Sequence, residues 1–196
     1  VNKRILVSLA PLVLAALTLA ACGGGSSDED KIVETIETAA TTSDPSNCTE
    51  LQTQSFNEQN NQQQGKAATK SCEEQAEEGK EQAEGANVSN VSVNDEKATA
   101  EVEFEGGSLG KQTLEVALVE EDGDWKLDQV EGFATYDGKA LGEEFEAEFK
   151  QNPEGVSPEQ AKCIARKIAG LDKPDAEELF FGGSPEPIIA LAESCT

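Results

Sequence analysis

Between residues 97 and 127 the chain alternates with a period of two, and that pattern limits what it can fold into. Ala98, Ala100, Val102 and Phe104 alternate with Thr99, Glu101, Glu103 and Glu105. Successive strand side chains point to opposite faces, so this run predicts a strand with one apolar and one wet face. Leu114, Val116 and Leu118 repeat the pattern, and Trp125 and Leu127 begin a third run. Val88, Val91 and Val93 form a weaker one upstream. Turn residues separate the runs: Asn94-Asp95, Gly106-Gly107 and Asp122-Gly123. The last is a strong two-residue hairpin signal. Four strands with short connections predict an antiparallel meander with one greasy face.

Helical spacing brackets this sheet. Ile32, Val33, Ile36, Ala39 and Ala40 fall on one stripe of a helix predicted over Asp28–Thr42, with Asp28, Glu29 and Asp30 at its dipole-favoured start. Asp44-Pro45-Ser46 breaks it. A second helix is predicted over Cys48–Asn57, with Leu51 and Phe56 inward, then an Asn/Gln-rich loop to Gly65. A third helix follows over Lys66–Glu84, with a solvated acidic face. After the sheet, Leu141, Phe145 and Phe149 mark a helix over Lys139–Gln151. Ser157-Pro158-Glu159-Gln160 reads as a capping box opening a helix that stops at Gly170. Pro174–Phe181 and Pro185–Ser194 complete the chain, the latter predicted to be capped by Ser184.

The first residues carry an export signature. Lys3 and Arg4 precede an apolar run from Ile5 to Leu19, and Leu19-Ala20-Ala21-Cys22 follows. The run is short for a membrane span. This stretch resembles the bacterial lipobox. The resemblance implies cleavage before Cys22, a diacylglycerol on its thiol, and further acylation (palmitate or a similar chain) of the new amine. Two or three acyl chains anchor stably where one is marginal. Residues 1–21 are thus expected to be a lipoprotein signal peptide. Residues 22–28, with Gly23-Gly24-Gly25-Ser26-Ser27, are expected to be a flexible tether. The expected location is the outer face of the cell membrane.

Setting Cys22 aside leaves Cys48, Cys72, Cys163 and Cys195. An even number in an exported chain reads as disulfides, and four cysteines allow three pairings. Cys48–Cys72 and Cys163–Cys195 are expected, because each pair lies within one local helical segment. The alternatives tie the chain ends together across the strand region. A metal site lacks both His and CxxC spacing.

The net charge is −24, with 15 basic and 39 acidic residues. Cleavage would also remove Lys3 and Arg4. Nucleic acid, whose recognition needs clustered cations, is excluded as a partner. Attachment to anionic headgroups by charge is disfavoured. The charge reads mainly as solubility and stand-off from the envelope, with a basic partner or divalent cations as the sharper reading.

Three helices followed by a curved antiparallel sheet resemble the NTF2-like (cystatin-like) superfamily. The most telling stretch is Leu118-Val119-Glu120-Glu121-Asp122-Gly123-Asp124-Trp125-Lys126-Leu127, similar to the last hairpin of actinobacterial NTF2-like lipoproteins. Cys48 with Leu51, Phe56 and Cys72 is similar to their helical half, and the Cys163-to-Cys195 tail also resembles tails seen among them. The resemblance covers roughly residues 28–133. It implies an α+β fold: a cone of N-terminal helices in the concave face of a four-stranded sheet over residues 29–136, plus a helical, disulfide-stapled extension over 137–196.

The absence of His removes the usual general base and most catalytic triads. No GxSxG, Walker A or GxGxxG is present. Asp122, Asp124 and Asp128 hint at a calcium loop, but the Gly and Glu positions of an EF-hand do not match. No catalytic residue, metal or cofactor is assigned. The expected function is non-catalytic: a lipid-anchored extracytoplasmic module binding an envelope protein or a small apolar ligand. Two alternatives stand beside it. One is an isomerase or dehydratase using an acidic residue in the cone, as a desolvated carboxyl can. The other is a purely structural surface protein.

Overall fold

The computed structural model describes residues 27–79, 83–107, 109–151 and 156–195. The signal, Cys22 and most of the tether lie outside them. The fold is α+β, with a curved four-stranded antiparallel sheet and eight helices among the described residues.

Helix α1 spans Asp28–Thr41. Ser27 opens it with a reciprocal box: its hydroxyl accepts from the Asp30 amide at 3.2 Å, and its amide donates to the Asp30 carboxylate at 3.0 Å. The Ser27 hydroxyl, then its amide, hold the Asp30 carboxyl below the usual range. Ile32 and Ile36 are buried from the stripe the sequence marked.

The predicted second helix is two helices, α2 (Asn47–Glu50) and α3 (Gln54–Asn61). Between them the chain takes a short parallel bridge beside Leu127. The Leu127 amide donates to the Leu51 carbonyl at 2.9 Å, and the Thr53 amide donates to the Leu127 carbonyl at 2.8 Å. Thr53 then restarts the helix, its hydroxyl accepting from the Phe56 amide at 3.2 Å. Helix α3 also runs through Asn57–Asn61, where a loop was expected. Asn57 is buried and donates to the carbonyls of Cys48 and Thr53. Helix α4 spans Lys66–Glu78 and stops earlier than expected, because Gly79 takes the left-handed conformation, φ 65°. A residue without Cβ adopts it without strain.

The sheet runs β1 (Gly85–Asn94), β2 (Lys97–Glu105), β3 (Thr113–Glu121) and β4 (Asp124–Thr135), in that order. Asp122 and Gly123 both have positive φ, 56° and 93°, the primed turn whose twist matches the hairpin. Helices α1, α3 and α7 (Lys173–Phe181) pack on one face.

Strand β4 lies at an edge, and its outer backbone groups are covered. The Leu51–Thr53 bridge takes Leu127. Gln59 accepts from the Val130 amide at 2.8 Å and donates to the Val130 carbonyl at 2.9 Å. Glu177 of α7 accepts from the Phe133 amide at 2.9 Å. Gly132 has φ 152°, a conformation that L side chains rarely adopt, and a Cβ there would displace that same carboxylate.

Helices α5 (Gly138–Gln151), α6 (Pro158–Ile168), α7 and α8 (Glu186–Glu193) follow. Ser157 caps α6 as expected, its hydroxyl accepting from the Gln160 amide. Ser184 does not cap α8; its hydroxyl meets the Glu186 carboxylate instead, and Pro185 occupies the cap. Helices α5 and α6 approach closely: a Cβ on Gly142 would stand 2.5 Å from the Ala165 carbonyl oxygen. Leu141, Ile164, Ile168, Ala176 and Leu179 belong to the same apolar cluster as Ile32, Val102, Leu118 and Phe133. The C-terminal helices therefore continue the core of the sheet.

Candidate functional site

The disulfides pair as expected. Cys48–Cys72 joins α2 to α4 with Cα atoms 6.0 Å apart, and Cys163–Cys195 joins α6 to the end of α8 at 5.7 Å. The lipid-attachment residue, Cys22, lies outside the described residues.

The inner face of the sheet is filled. Ala98, Ala100, Val102, Leu114, Val116, Leu118, Trp125, Leu127, Val130 and Phe133 are buried there against Ile32, Ile36 and Phe56. The buried polar side chains among the described residues are Thr35, Asn47, Thr53, Asn57 and Gln112, all uncharged. An acidic base needs a desolvated carboxyl with a raised pKa. No described carboxylate is buried. Glu58, Glu146 and Glu186 all shift the other way, each lowered chiefly by a side-chain hydrogen bond from Gln54, Lys150 and Ser184 respectively.

Tyr136, the single tyrosine, directly follows β4 and is half-buried. Its hydroxyl donates to the Leu171 carbonyl at 3.0 Å, and its ring lies 5.0 Å from Phe133. Burial, then the charges of Asp172 and Asp137, raise its pKa above the ordinary 10.0. The neutral phenol is favoured by folding. Its contribution to stability is fully present below pH 10 and lost as pH rises through the folded value. A spectrophotometric titration of the folded chain is expected to give a midpoint above 10.0, and a urea-unfolded sample one near it. A folded midpoint at or below the unfolded one would contradict this environment.

Sequence reasoning missed one arrangement. Tyr136, Phe133, Phe181, Phe180, Phe145 and Phe149 form an unbroken row, neighbouring ring centroids lying 5.0–6.3 Å apart. It leads from the sheet through α7 to α5. The Phe180-Phe181 pair, with Phe145 and Phe149 one helical turn apart, was the available signal. The row ends at a cleft of about 180 Å³ between α5 and α6, floored by Phe149, Val156, Pro158 and Ala161. Glu146 and Lys150 pair at its rim at 2.9 Å, beside Lys162. Among the described residues its lining is apolar below and charged at the rim.

Among the described residues, no group of three or more His, Cys, Asp or Glu side chains is arranged to hold a metal ion. No described helix is long and apolar enough to cross a membrane. In comparisons with protein-family models, curated proteins and solved structures, the chain matches none.

Proposed function

We propose that this chain is a lipid-anchored, extracytoplasmic interaction module of the cell envelope, without catalytic activity, built on an NTF2-like fold. The observation that carries the reading is the filled inner face of the sheet. Apolar side chains occupy the space where an NTF2-like enzyme would hold its substrate, and the described carboxylates stay on the surface. Binding at the surface is then what remains for the domain to do. Two disulfides suit an oxidising compartment. The Leu19-Ala20-Ala21-Cys22 stretch supplies the anchor. The helices-then-meander order supports the NTF2-like assignment.

The test is metabolic labelling of the full chain in a bacterial host with a clickable fatty acid. The chain is expected to be labelled and to sediment with membranes. The Cys22→Ser variant is expected to be unlabelled and to lose its lipid-dependent membrane retention. Labelling that survives in the variant overturns the anchor. Turnover of a carbonyl or enol substrate, abolished by a single carboxylate-to-amide change, overturns the non-catalytic part.

A further inference from the structure

The two edges of the sheet are treated in opposite ways. Strand β4 has outer backbone groups taken by Leu51, Thr53, Gln59 and Glu177. Strand β1 pairs only with β2, and no described residue bonds the backbone groups of its other side. An open row of amides and carbonyls is a template for another strand. Exposed edges are usually guarded by a charged residue or a proline. Residues Gly85–Asn94 contain neither, in a chain that is 28% charged. The guard present is a bulge between Ser89 and Ser92, where Asn90 has φ 51°. It leaves Gly85–Ser89 in unbroken register with β2.

We infer that the Gly85–Ser89 edge of β1 accepts an extended segment of a basic partner protein, whose Lys or Arg side chains at alternate positions reach Glu101, Glu103 and Glu105. The inference rests on the reading of the chain as an interaction module. Charge and side-chain size select the occupant. Ala86 and Val88 sit opposite Phe104 and the buried Val102, on the core face. Gly85, Asn87 and Ser89 therefore lie on the outer face, opposite Glu105, Glu103 and Glu101. None of the three is charged, and each faces a carboxylate across the pair. Glu105 already leans towards the edge: a Cβ on Gly85 would stand 2.9 Å from its Oε2, and Asn87 Nδ2 donates to its Oε1 at 3.2 Å. An added strand lies about 4.8 Å beyond β1, so a long cationic side chain crossing Gly85, Asn87 or Ser89 reaches these glutamates. A second copy would instead present its own uncharged Gly85–Ser89 and leave these glutamates without a cation.

The test uses the full chain in a neutral detergent and two end-blocked peptides of equal charge. One alternates valine and lysine over seven residues. The other has glycine and proline in place of valine and cannot pair as a strand. Hydrogen exchange of residues 85–94 and peptide affinity are measured together. The valine peptide is expected to slow exchange there and to bind about tenfold more tightly than its counterpart, a difference of about 1.4 kcal/mol. Glu101→Gln, Glu103→Gln and Glu105→Gln combined are expected to weaken it about tenfold. The same charge loss at Glu73, Glu74 and Glu77 on α4 should change it less than about threefold. Equal binding of the peptides, equal weakening by the two triple variants, or binding without protection of β1 overturns the assignment. So does a peptide-free dimer that buries β1. Failure here with Cys22-dependent labelling intact removes the edge site and leaves the module. Failed labelling with intact β1 protection does the reverse.

Discussion

Phe133→Ala is expected to lower the unfolding free energy by about 3–5 kcal/mol, the cost of truncating a large core aromatic. Phe133 is 1% exposed and lies where the sheet meets the C-terminal helices. Its ring sits 5.0 Å from both Tyr136 and Phe181, and its amide is held by Glu177. Truncation cuts Tyr136 off from the rest of the aromatic row and removes two ring contacts, each worth about 0.5–1.5 kcal/mol beyond buried area. Domains of this size are stable by only about 5–15 kcal/mol, so the loss takes a large share. Urea unfolding followed by Trp125, the single tryptophan and 2% exposed, measures it directly. Phe133→Leu is expected to cost clearly less, because more of the volume is retained. A loss under about 1 kcal/mol for the alanine variant would mean that the junction repacks.

Removing the second disulfide, with Cys163→Ala and Cys195→Ala together, is expected to act mainly on α8. The bridge spans 32 positions, which chain-entropy reasoning values at roughly 3.5–4 kcal/mol. Helix α8 has no fully buried residue; Leu191 and Ala192, with Cys195 just after it, are the partly buried contacts, while Ile188 and Ile189 are exposed. Packing alone is a weak hold on eight residues. Amides of α8 should exchange at least about 100-fold faster in the variant, while those of β2 and β3 keep their protection until global unfolding. Unchanged protection of α8 would show that side-chain packing, not the bridge, docks it. The Cys48–Cys72 pair, with Cys48 2% exposed, has its effect on α2 and α4.

Much of this architecture is legible without coordinates. The meander follows from period-two alternation and three turn signals, because each strand has one wet face and one buried face. The cysteine pairing follows from the local placement of each pair. What stays hidden is decided by partners distant in sequence. The break at Leu51–Thr53 exists because Leu127, more than 70 residues later, offers its backbone there. Asn57 reads as loop-forming but is buried, where its amide satisfies two carbonyls of its own helical pair. Gly79 ends α4 six residues before the expected Glu84, since charge periodicity marks a solvated face and not a helix end. The aromatic row needs α5, α7 and β4 brought together, which no local pattern specifies. Nor does the sequence announce that one rim of the sheet is sealed by Gln59 and Glu177 while no described residue bonds the backbone of the other.

That asymmetry governs stoichiometry. A subunit able to add neighbours on both rims can propagate into a fibre; one with a stopper on one rim cannot. With β4 sealed, copies of this chain have no second rim through which to pass a sheet from one to the next. Crowding on a surface should accordingly leave copies of this chain discrete instead of seeding polymers joined rim to rim.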